Sequence, residues 1–91
     1  MPRPVTISES PRAFKTYYQR KSSADRGRVD IALQRMSADL SHPSLRARAM
    51  AGAHGIWEAR ASDAIRITFE FTGANEIRLR KCCSHQIYRR P

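Results

Sequence analysis

"AIRITFEFTGANEIRLRKCC", residues 64–83, decides the fold. In its first half Ile65, Ile67, Phe69 and Phe71 alternate with Arg66, Thr68 and Glu70. A period of two is that of a strand with one buried face, because successive side chains point to opposite sides. "TGAN" at 72–75 is a turn signal. After it Ile77 and Leu79 alternate with Glu76, Arg78 and Arg80. Upstream, "GIWEARA" at 55–61 sets Trp57, Ala59 and Ala61 against Glu58 and Arg60. Three alternating runs joined by short connections predict an antiparallel meander. By the same alternation Lys81 falls on the apolar face, with its charged end reaching out to an edge. Cys82 and Cys83 read as reduced strand residues, since neighbouring cysteines fit disulfide geometry badly.

The first half of the chain has a different period. "PVTI" at 4–7 is short and β-branched, and Pro4 suits it to a sheet edge. "ESPRAFKTYYQRK" carries a helix start, with Ser10 as cap and Pro11 at the first helical position. Phe14, Tyr17 and Tyr18 then share one face. A second helix begins at Ser22 or Ser23, and Val29, Leu33, Met36 and Leu40 form its buried stripe. His42-Pro43 ends it, because a residue before proline is pushed out of the α region. "SLRARAMAGAHG" follows as a connector with a further helical turn, punctuated by Gly52 and Gly55. The expectation is one α+β domain over residues 1–91, in the order β-α-α-β-β-β. A small antiparallel sheet is packed by two N-terminal helices.

Composition narrows the partners. Lys and Arg number 17 against 8 Asp and Glu, a net charge of +9 in 91 residues. Most of the excess is arginine, which stays charged and pairs bidentately with phosphate, so a polyanionic partner is expected. No apolar run approaches the roughly 20 residues of a membrane span, and "MPRPVTISES" lacks the apolar core of a signal peptide. A cytoplasmic protein with no membrane partner is expected. The two cysteines and three histidines do not form a pair of ligand pairs at zinc spacing, so no metal or other cofactor is expected.

The face of the meander opposite the core carries Glu58, Arg60, Arg66, Thr68, Glu70, Arg78 and Arg80. Four arginines on three adjacent strands make a concentrated positive surface. The plainer alternative is a solvated face of cross-strand Glu–Arg pairs.

With "HPSLRARAMAG" (42–52), "GIWEAR" (55–60), "AIRITFEF" (64–71) and "RKCCSHQIY" (80–88) in this order, the chain resembles the RelE/ParE toxin superfamily. Within it the nearest likeness is to the RelE/YoeB-like, ribosome-dependent mRNA interferases. The resemblance implies the RelE-like fold and the toxin of a type II toxin–antitoxin system. Its implied activity is an endoribonuclease that cuts mRNA in the ribosomal A site and so inhibits translation. The implied partners are mRNA on the 70S ribosome and an acidic antitoxin.

The resemblance also implies site residues. Arg66 matches the arginine at the scissile phosphate, His85 the late general acid, and Tyr88 the tyrosine that stacks on or polarises the target nucleotide. Arg60 lies where relatives place a basic residue. Glu58 stands either as the general base or as the ion-pair partner of Arg60 or Arg66. The implied reaction is attack of a ribose 2′-OH on the adjacent phosphate. It needs a base, a cation for the extra charge, and an acid for the leaving 5′-oxygen, and no metal. Arg66 with Arg78 or Arg80 suits the cation's role. His85 is a side-chain type that exchanges a proton near neutrality, and Tyr88 offers a π-face to an unpaired base. Arg89 and Arg90 would add phosphate contacts. Two other readings stay open: a ParE-like inhibitor of DNA gyrase, and a catalytically inactive basic binding module of the same fold.

Overall fold

Ser22 caps the second helix as its position suggests, its Oγ accepting the N–H of Asp25 at 3.2 Å. The computed structural model describes residues 2–8 and 12–83. They form β1 (Thr6–Ile7), α1 (Arg12–Gln19), α2 (Ser23–Ala38), a 3-10 turn (Pro43–Leu45), β2 (Arg48–Ala49), β3 (Trp57–Arg60), β4 (Arg66–Gly73) and β5 (Glu76–Cys83). The proposed cap and first proline of α1, Ser10 and Pro11, lie outside the described residues. Among the described residues no helix is long and apolar enough to cross a membrane.

Val29 and Met36 of α2 are completely buried, and Leu33 packs against the core from its edge. The helix ends at Ala38, before Leu40 and well before Pro43. Asp39 ends it: its carboxylate accepts the N–H of Arg3 at 2.8 Å and that of Ser41 at 3.0 Å. The N–H of Leu40 then bonds the carbonyl of Arg3 at 2.7 Å. Backbone groups that would have continued the helix are satisfied by the N-terminal segment instead. Leu40 is still buried, but from the loop. On α1, Phe14 is buried, and the hydroxyl of Tyr18 donates to Asp30 at 2.8 Å, tying the two helices together.

The sheet has five strands in the order β1-β5-β4-β3-β2. β3, β4 and β5 form the expected antiparallel meander. β1 joins β5 in parallel, so the sheet is mixed rather than wholly antiparallel. β2 is a strand where a connector with a helical turn is expected, and it pairs Arg48 with Glu58 and Ala49 with Trp57. The helical turn of that connector is the 3-10 turn, which sinks Leu45 completely into the core.

Phe69, Ile67, Ile77 and Leu79 are fully buried with Met36, Leu45 and Val29. Each such side chain contributes about 1.5–3 kcal/mol relative to exposure. Trp57, Phe69 and Phe71 meet on the apolar face, Trp57 edge-on to Phe71 at 5.3 Å between centroids. One expectation fails here. Phe69 pairs with Leu79 but Thr68 pairs with Lys81, so the register slips by one residue at Arg80. This β-bulge changes the phase of the alternation. Lys81 therefore lies opposite Thr68 rather than on the apolar face, and Cys82 takes the core position opposite Ile67. The Thr68 hydroxyl, fully buried, accepts the displaced N–H of Lys81 at 3.1 Å. The charged end of Lys81 comes to rest 5.8 Å from the centre of the Tyr17 ring.

Candidate functional site

Strand register builds the site. Arg48 of β2 faces Glu58 of β3, which faces Thr68 of β4. One row along, Arg60 of β3 faces Arg66 of β4, which faces Cys83 of β5. The two rows meet at a cleft of about 120 Å³ lined by Arg46, Arg48, Glu58, Arg60 and Arg66. Four arginines and one carboxylate thus line the same cleft.

Glu58 is the unusual member, with only 3% of its surface exposed. Its Oε1 accepts from Nε of Arg48 at 2.7 Å. The expected partners Arg60 and Arg66 are not the ones it takes in this pairing. Its Oε2 is buried and has no hydrogen-bond partner among the described residues. A buried acceptor left without a donor costs about 1–3 kcal/mol, so natural folds leave few.

The arginines are held differently. Nη1 of Arg66 donates to the carbonyls of Ser62 at 2.6 Å, Asp63 at 3.1 Å and Ile65 at 3.3 Å. The β3–β4 turn therefore fixes its guanidinium beside the cleft. Arg60 pairs with Asp63 of the same turn, whose side chain is 91% exposed. Arg46 sits in the left-handed region at φ 46°, directly after the 3-10 turn. That conformation costs a residue with a Cβ roughly 1–2 kcal/mol, and such strain gathers at functional sites.

Arg78 and Arg80 stand apart from the cleft. Nε of Arg78 donates to Glu70 at 2.8 Å, and Nη1 of Arg80 lies 3.7 Å from the other oxygen of Glu70. Here the cross-strand pairing read as the plainer alternative is realised. These groups line a second depression with Ala13 and Lys81. His85, Tyr88, Arg89 and Arg90 lie outside the described residues. The last described residue, Cys83, faces Arg66. Neither thiol is a ready nucleophile, since burial pushes Cys82 up to about 11 and raises Cys83 as well.

The structure brings Glu58, Arg60 and Arg66 to one cleft, where they are joined by Arg46 and Arg48, not singled out from the sequence. Their signal was present in "SLRARAM", where two arginines stand two residues apart just before the meander.

No protein-family model matches the sequence, and none of the curated proteins does. Solved structures are similar across most of the chain. A YoeB/ParE toxin from Agrobacterium tumefaciens superposes with a TM-score of 0.70 at 12% identity, covering 89% of this chain and 99% of that one. A copper-bound mutant toxin from Helicobacter pylori gives 0.59 at 12% identity, covering 91% and 97%. The DinJ–YafQ complex of Escherichia coli gives 0.60 at 13% identity, covering 91% and 96%. The chain has the fold of the RelE/YoeB-type toxins, as the sequence resemblance implied.

Proposed function

We propose that this chain is the toxin of a type II toxin–antitoxin system. It acts in the cytoplasm as a metal-independent endoribonuclease on mRNA in the ribosomal A site. The observation that carries this reading is the buried Glu58, with one oxygen lacking a partner among the described residues and four arginines around it. Attack of a 2′-OH on its neighbouring phosphate needs an acceptor for the proton beside a cation for the phosphorane charge. Glu58 Oε2 takes the proton. Arg66 and Arg60 hold the phosphate oxygens, and the turn carbonyls that fix Arg66 lower the reorganisation needed. His85 protonates the leaving 5′-oxygen, and Tyr88 stacks on the target nucleotide. Arg78, Arg80, Arg89 and Arg90 follow the phosphate backbone.

An acidic antitoxin is the second partner. The positive charge of the cleft favours it, and one structural neighbour was solved as a two-protein complex.

Primer extension on a defined mRNA loaded on 70S ribosomes tests the reading. The wild type cuts within the A-site codon, and Arg66→Ala, His85→Ala and Tyr88→Ala lose the cut. A wild type that leaves the mRNA whole while arresting DNA gyrase would place the chain with the gyrase inhibitors. One that does neither would leave a basic binding module.

A further inference from the structure

The ion pair between Arg48 and Glu58 is asymmetric. The arginine side chain is 71% exposed and the carboxylate only 4%. Exposed pairs contribute little to stability, usually under about 1 kcal/mol. An exposed arginine on a two-residue edge strand is therefore a weak reason to bury a carboxylate, and a hydrophobic residue opposite Thr68 would pack more cheaply.

We propose that Arg48 is a positioning residue for the cleavage reaction, acting through Glu58; this rests on the reading of Glu58 as the base. Nε of Arg48 occupies Oε1 and so fixes the carboxylate's rotation, leaving Oε2 as the oxygen that receives the substrate's proton. β2 exists to place it. The 3-10 turn is anchored by the fully buried Leu45, and Arg46 turns the chain through a left-handed conformation. That brings Arg48 into register with Glu58. The charged groups around Glu58 are Arg48 from β2, Arg46 from the segment before it, Arg60 on its own strand and Arg66 on β4. Lys81 of β5 lies opposite the intervening Thr68. Of these, Arg48 is the one in direct hydrogen-bond contact with the carboxylate in the pairs described.

The test is the single-turnover rate of mRNA cutting on 70S ribosomes across a range of protein concentrations, for wild type, Arg48→Ala and Arg48→Lys. Thermal melts check that each variant is folded. In Arg48→Ala the carboxylate loses the group that fixes its rotation, so the maximal rate falls about tenfold, with little change in the protein concentration giving half-saturation. Arg48→Lys restores the rate in part, since it returns the charge without the fixed fork. An Arg48→Ala maximal rate equal to that of the wild type overturns the assignment while leaving the nuclease intact. So does a loss seen only in half-saturation, which would make Arg48 a plain RNA contact. A wild type that cuts nothing overturns the nuclease reading and this role with it.

Discussion

Arg48 and Glu58 stand directly opposite each other in the β2–β3 register, Nε 2.7 Å from Oε1, and the second carboxylate oxygen is buried without a hydrogen-bond partner among the described residues. Replacing Glu58 by glutamine keeps the shape and removes the proton acceptor. Cutting should fall by about 10²–10⁴, the usual contribution of a positioned base. Stability should change by no more than about 1 kcal/mol, because the amide oxygen can still accept from Arg48. Thermal melting and the ribosome assay read the two effects separately. An unimpaired Glu58→Gln protein would place the base elsewhere.

Arg46 gives a case where stability and function oppose each other. Its backbone lies at φ 46°, where glycine is at ease and arginine is not. Arg46→Gly should raise the melting temperature slightly and weaken binding to a single-stranded RNA oligonucleotide. The salt dependence of that binding should lose about 0.7 from its slope, the value for one phosphate contact on a single strand. Fluorescence anisotropy at several salt concentrations measures this, and an unchanged slope would exclude Arg46 from the contact.

Asp63 works in the other direction. It is almost fully exposed and pairs with Arg60 at the cleft. Asp63→Ala removes a negative charge that offsets Arg60, so RNA should bind more tightly and with a steeper salt dependence. The melt should shift little, since surface changes of this kind usually lie within about 0.5 kcal/mol.

The meander was legible because Ile65, Ile67 and Phe69 are buried, and Phe71 packs against them, at alternate positions, whereas the burial of Glu58 and Thr68 on the other face has no apolar residue to report it. Two features were not legible, for different reasons. β2 is two residues long and exposed on both, so it has no periodicity to read; its pairing with β3 depends on Leu45 reaching the core. The phase change at Arg80 is a β-bulge, and alternation cannot report an extra residue in one strand. That misplaced Lys81. The parallel pairing of β1 with β5 joins Thr6 to Glu76, and no local pattern encodes so distant a partner. In the site, Glu58 was named as base or ion-pair partner, but the arginine that pairs with it lies on the strand that was missed.

The two cysteines supply a check on burial. Cys82 is fully buried and its thiol is raised to about 11, chiefly by desolvation. Below that pH the thiol stays protonated, so iodoacetamide at pH 8 should modify native protein slowly and unfolded protein fast. The linkage has a definite sign. A raised pKa adds stability that is complete below the ordinary value of 9.0 and is lost as pH rises toward about 11. The melting temperature of the wild type should fall over that range more steeply than that of Cys82→Ala. Rapid alkylation of the folded protein would contradict the packing of β5.

The reaction itself can be tested at one atom. An mRNA carrying a single 2′-deoxy nucleotide at the mapped cut site, loaded on 70S ribosomes, keeps every phosphate contact and lacks the attacking hydroxyl. The account predicts that the protein cuts the all-ribose message and leaves the substituted one whole at that position. Equal cutting of both messages would contradict attack by the 2′-OH, and with it the role assigned to Glu58.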